Sequence, residues 1–222
     1  MTRPRPRLRA RRTAKGESME NRVLYLVRHG KIRQEDDQRR YIGQIDLPLA
    51  EEGRRQADHL RRRMEHAEIG AAYCSDLTRS RETAEIAAGG RFEVIVRQDL
   101  REISMGEWEG RTLGDVARQF PQEYKARGED IAGFRVPGGE SFVECARRAV
   151  SAFEDIVARS TGNVLIVGHA GVNRLLLCHL LGMPVANLFR IGQDYSCLNI
   201  IQSSNSGYQV RLINGRSRSG GR

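Results

Sequence analysis

Val23-Leu24-Tyr25-Leu26-Val27-Arg28-His29-Gly30 is the stretch from which the rest of the chain can be ordered. Five apolar residues, three of them β-branched or aromatic, predict a strand buried on both faces of a sheet, and the run stops abruptly at Arg28-His29-Gly30. In open α/β sheets ligands collect outside the carboxyl ends of the strands. A guanidinium and an imidazole at this end therefore stand where a binding site is expected.

The same logic recurs near the other end of the chain. Asn163-Val164-Leu165-Ile166-Val167 is a second buried strand, ending in Gly168-His169-Ala170-Gly171 and followed by a helix through Leu175, Leu176 and Leu180. Two strand ends thus carry histidines. Shorter strands are expected at Ala71–Cys74 and Phe92–Val96, and a closing hairpin joins 197–201 to 208–213 through Ser203–Gly207. Leu49, Gly53, Ala57, Leu60 and Met64 share one face of a helix starting near Ala50, whose other face is charged. Ser75-Asp76 is expected to cap a helix that carries Arg79 in its first turn, where free N–H groups already favour an anion; Arg81 faces away. Thr112 is expected to cap a further helix. After Pro137-Gly138-Gly139, Ser141 and Glu144 form a capping box for a long amphipathic helix with Phe142, Cys145, Ala149, Phe153 and Ile156 inward.

Composition narrows the class. No apolar run approaches the roughly 20 residues of a membrane span, and 39% hydrophobic with 29% charged residues fits a soluble globular chain. The net charge of +9 points at nucleic acid less than it seems to, because residues 1–18 hold seven basic residues against Glu17 and so carry +6 of it. That segment has almost nothing to bury and no aromatic residues for base stacking. Residues 1–20 are therefore expected to be a disordered basic tail, 21–213 one domain, and 214–222 a flexible C-terminal tail. Nucleic acid is not expected as a partner, and oligomeric state is left open, a dimer included. Cys74, Cys145, Cys178 and Cys197 lack any Cys-x-x-Cys pair and are expected as buried thiols in a cytoplasmic protein.

Five blocks, taken in order, resemble the histidine phosphatase (phosphoglycerate mutase-like) superfamily. They are Arg28-His29-Gly30 after the first strand; the run Gly43-Gln44-Ile45-Asp46-Leu47-Pro48-Leu49 with Gly53-Arg54-Arg55-Gln56-Ala57; the stretch Ser75 to Ala84 with its Ser-x-Leu-x-Arg-x-x-x-Thr-Ala spacing; Leu100 to Gly110; and Gly168-His169-Ala170-Gly171. The resemblance implies an α/β three-layer sandwich with a mostly parallel central sheet flanked by helices. It implies a phosphomonoester hydrolase of small soluble metabolites that uses no metal and no cofactor. His29 would be the nucleophile, and Arg28, Arg79 and His169 the phosphate clamp. Glu102 would be the proton donor and acceptor; the residues alone do not choose among Glu102, Glu107 and Glu109. Gly30, Lys31, Gln34, Tyr41, Gly43 and Ala170 are the expected substrate-binding positions.

The chemistry is coherent with those residue types. Planar guanidinium forks suit phosphate oxygens, and cationic neighbours favour the neutral imidazole needed for attack. Two positions depart from the family pattern. Lys31 stands where Glu, Gln or Thr is usual, which suggests a role in reading a second anionic group, and the loop lacks the usual asparagine, with Gln34 or Glu35 in its place. The 43–49 run and the short span before His169 look most like α-ribazole phosphatases, with α-ribazole 5′-phosphate the first candidate substrate and a sugar phosphate or phosphoglycerate next. The alternatives are mutase-type phosphoryl transfer, disfavoured by that short span, and a catalytically silent interaction module on the same fold. His59, His66 and His179 fall inside helical patterns and are expected on the surface or in packing.

Overall fold

The computed structural model describes residues 21–216. The stretch from which the reading began is β1 (Arg22–Arg28), and β4 (Asn163–Gly168) runs parallel beside it in a register that pairs Leu24 with Val164 and Arg28 with Gly168. Beyond β4 lie β2 (Ile69–Cys74) and β3 (Glu93–Val96), both parallel. On the other side of β1, β5 (Leu198–Ser204) and β6 (Gly207–Gly215) add two antiparallel strands. The order is β3-β2-β4-β1-β5-β6, a mostly parallel sheet as expected.

Side-chain alternation along β1 and β4 divides the core between two helical layers. Leu24, Leu26, Val164 and Ile166 pack with α5 (Phe142–Arg159) and α6 (Ala170–Leu180) on one face. Val27, Leu165 and Val167 pack on the other with Leu60 of α1 (Glu51–Arg63) and Ala84 and Ala87 of α2 (Thr78–Ala88). Between β3 and α5 the chain forms 3₁₀ turns at Gln98–Leu100 and Gly106–Trp108, then two short helices, α3 (Leu113–Gln119) and α4 (Pro121–Glu129). The Ser141–Glu144 capping box and the Thr112 cap form as expected.

The cap of α2 does not. Its N-cap residue is Leu77, and Asp46, from the loop before α1, accepts both the backbone N–H and the hydroxyl of Thr78, each at 2.7 Å. Both expected caps have stronger tertiary partners: Ser75 bonds His169, and the Asp76 carboxylate pairs with Arg101. The hairpin turn is also tighter than expected, because pairing continues through Ser204 and Gly207. β6 reaches Gly215, past the expected domain end at 213 and into the tail expected at 214–222; the rest of that tail, 217–222, and the one expected at 1–20 lie outside the described residues. Among the described residues no helix is long and apolar enough to cross a membrane.

Candidate active site

The parallel register of β1 and β4 places the residues after Arg28 and Gly168 side by side, and the backbone N–H of His29 donates to the carbonyl of Gly168 at 3.0 Å. The imidazoles of His29 and His169 consequently stand 5.1 Å apart, centroid to centroid. Nδ1 of His29 lies 2.7 Å from the carbonyl oxygen of Gly30. A carbonyl can only accept, so Nδ1 carries the proton and Nε2 keeps its lone pair. Burial and the charges of Arg28 and Arg79 hold the pKa of His29 well below the usual imidazole range, so the ring is neutral.

Arg79, 1% exposed, spans from α2 to the 43–49 loop, where its fork donates to the carbonyls of Gly43 and Ile45 at 2.5 and 2.6 Å. Arg28 donates to the carbonyl of Gln193 at 2.8 Å and stacks over the Tyr195 ring at 3.9 Å. His169 is fully buried, its Nε2 2.7 Å from the hydroxyl of Ser75, and its pKa too is pushed down by burial and by Arg79. Among the described residues Nε of Arg28, Nε of Arg79 and Nδ1 of His169 are buried with no hydrogen-bond partner. Buried nitrogens of this kind are rarely left unsatisfied. Three of them around one neutral imidazole make a place for an anion.

Glu102 is the carboxylate at this centre. Its oxygens accept N–H from Gly171 and Val172, in the first turn of α6, at 2.9 and 3.2 Å. Gly171 is required for that approach, since a Cβ there would sit 2.4 Å from the carboxylate. Glu109, the rival within the same block, instead gathers the backbone N–H groups of Gly43, Gln44 and Met105, and Glu107 is exposed.

The cleft that opens over His29 has a volume of about 610 Å³, within the range of small-ligand sites. Of the expected substrate-binding positions, Gln34, Tyr41 and Ala170 line it. Gly30, Lys31 and Gly43 do not. Gly30 is a point of close approach to α1, where an added Cβ would meet the Gly53 carbonyl at 2.5 Å, and Gly43 positions Arg79. Lys31 turns outward to Glu52 of α1, 2.7 Å away, and Glu35 lies on the same outer side. The role in reading a second anion expected of Lys31 is thereby corrected: an exposed carboxylate already holds the ammonium. His59, His66 and His179 lie outside the cleft, the last beside Glu154.

Ser75, Arg127, Arg174, Phe189 and Tyr195 escaped the sequence reading. For Tyr195 a signal existed. A strand antiparallel to β1 brings its own beginning to the edge where β1 ends, so the residues entering β5 had to lie beside His29.

The family model of the histidine phosphatase superfamily (branch 1) matches residues 24–216. Adenosylcobalamin/alpha-ribazole phosphatase of Salmonella typhimurium is 32% identical over 196 residues, which cover 87% of this chain and 96% of that one. Phosphoserine phosphatase 1 of Hydrogenobacter thermophilus is 29% identical, covering 80% and 85%. Among solved structures, Bacillus stearothermophilus YhfR superposes with a TM-score of 0.80 at 33% identity, covering 88% and 98%. The alpha-ribazole phosphatase from Shigella flexneri gives 0.81 at 28%, covering 90% and 100%. The chain belongs to the histidine phosphatase superfamily, branch 1, and is a phosphatase of the phosphoglycerate mutase-like fold.

Proposed function

We propose that the chain hydrolyses a small phosphomonoester in two steps through a phosphohistidine at His29. The observation that carries this is the neutral His29 ring, its tautomer set by Gly30, between Arg28 and Arg79. In the first step Nε2 attacks phosphorus, the N–P bond forms and the P–O ester bond breaks. Arg28, Arg79 and Nδ1 of His169 stabilise the equatorial oxygens, and Glu102 gives its proton to the leaving alkoxide. In the second, water attacks the phosphoenzyme while the Glu102 carboxylate takes its proton, and the N–P electron pair returns to His29. Gln34, Tyr41 and Ala170 contact the ester side. Because the relatives include alpha-ribazole phosphatases, α-ribazole 5′-phosphate heads the panel of substrates, with sugar phosphates and phosphoglycerates after it.

Rapid-quench labelling with a phosphorylated substrate tests the first step. An acid-labile, base-stable adduct, absent in His29→Ala, is the expected result, and turnover of p-nitrophenyl phosphate should survive exhaustive EDTA treatment. A seryl or aspartyl adduct, or activity that returns only with added magnesium, would overturn it.

A further inference from the structure

The charge around the cleft exceeds what one phosphate answers. Arg28, Arg39, Arg40, Arg79, Arg127 and Arg174 line it, against the carboxylates of Asp37 and Glu102 alone. Arg28 and Arg79 belong to the reacting centre. Arg40 is paired with Asp36 at 2.5 Å, and Arg39 is exposed to water. Arg127 and Arg174 remain. Each is half-buried, and among the described residues neither has a carboxylate partner; Arg174 donates only Nε, to the carbonyl of Ile191 at 2.8 Å. Burial disfavours both cations.

These two guanidiniums are joined by a wall of rings. Arg127 lies over Phe142 at 5.5 Å, Phe142 meets Phe189 edge-on at 5.6 Å, and Arg174 lies over Phe189 at 5.5 Å. Arg127 also lies 5.5 Å from the Tyr41 ring and 5.9 Å from that of Trp108, and rings offer a guanidinium no hydrogen-bond acceptor in their plane, so its N–H donors stay available. The N–H edge is the part that takes an oxyanion in bidentate fashion. Phe189 itself is 56% exposed, an unusual position for a ring unless something covers it.

We propose that Arg127 and Arg174, on the Phe142–Phe189 wall, form a second anion subsite that reads a carboxylate or second phosphate on the alcohol side of the substrate. The proposal rests on the phosphate being held at Arg28 and Arg79. It favours phosphorylated hydroxy acids and bisphosphates as substrates over α-ribazole 5′-phosphate, which carries no anion beyond its phosphate.

Phosphonates, whose C–P bond is not hydrolysed, separate binding from turnover. Alkylphosphonates, ω-carboxyalkylphosphonates and alkylene bisphosphonates of matched length, titrated calorimetrically into the full chain at constant ionic strength, isolate the added anion. At the best length the second anion should tighten binding about tenfold, a typical value for one charge-assisted pair; which arm gains more distinguishes carboxylate from phosphate. Arg127→Gln and Arg174→Gln should each reduce the gain, the double variant should abolish it, and Arg174→Lys, which keeps the charge, should retain part. No gain at any length, or a gain that survives the double variant, overturns the subsite. Failure to hydrolyse p-nitrophenyl phosphate with the gain intact would instead sink the catalytic proposal and leave the subsite standing.

Discussion

His29 and His169 share one electrostatic setting: buried, close to each other, and facing guanidinium charge. Protonating either adds a cation to a site that already holds Arg28 and Arg79. In the unfolded chain both titrate near their ordinary value of about 6.5. As pH falls through that value the unfolded state takes up protons that the folded state refuses, so folding stability is complete above it and declines below it. The decline is about 1.4 kcal/mol per pH unit for each ring until the depressed folded pKa is reached. Chemical denaturation between pH 7 and 5 checks this, and unchanged stability would contradict it. Arg79→Met removes a named cause of the depression, so the NMR titration of His29 should move upward toward 6.5; a downward move would reverse the argument. Ser75→Ala should leave His169 free to turn and lower kcat about tenfold, the scale of one buried hydrogen bond to an ionisable ring. Its effect on the stability of the chain should be smaller than on kcat, and the kcat loss should change with pH as a tautomer shift would. None of this was legible from Ser75 alone, which reads equally well as a helix cap. The partner that decides its role lies 94 residues away.

At the level of elements, the first turn of α1 sits against the loop that follows His29, and two glycines make the contact. A Cβ on Gly53 would lie 2.1 Å from the Lys31 carbonyl, while Lys31 receives a bond from Ala50 N–H and donates its own N–H to Gln56 at 2.9 Å. This explains the Gly53…Gln56-Ala57 pattern, whose purpose is to hold Gly30 and therefore Nδ1 of His29. Gly53→Ala should cost about 1–3 kcal/mol through backbone displacement and raise KM and lower kcat together, as read from denaturant midpoints and steady-state kinetics. Wild-type values for both would show that the crossing is not needed. The parallel half of the sheet was legible because its strands are continuous apolar runs ending in chemistry. The loop leading into β5 was not, because Gly192 to Ser196 has no periodicity and its place comes from strand direction. α4 was missed for a related reason: it has no buried residue and a weak apolar pattern, although it delivers Arg127 to the cleft.

On the scale of the molecule, the site ties together parts that pack on opposite faces of the sheet. Arg79 comes from α2 on one face, Glu102 and His169 are anchored to α6 on the other, and Arg28 and His29 end the strand between them. Cys145 and Cys178 belong to one of those cores and Cys74 to the other, and Cys197 is buried just before the start of β5; all four are unpaired thiols, with Cys74 and Cys197 pushed up to about 12 and about 11 by burial. A ligand bound across such a centre opposes global unfolding rather than local opening, because releasing any one clamp residue means breaking one of the two layers. Linkage then gives the size of the effect: an anion at about a hundred times its dissociation constant adds about 2.7 kcal/mol, which in a chain of this length raises Tm by about 5–10 °C. Inorganic phosphate, or vanadate at lower concentration, should therefore shift the calorimetric transition while chloride at equal ionic strength does not. The shift should shrink in Arg28→Met and Arg79→Met. An equal shift with chloride would reduce the effect to general screening of a basic protein, and the anion site around His29 would lose its thermodynamic support.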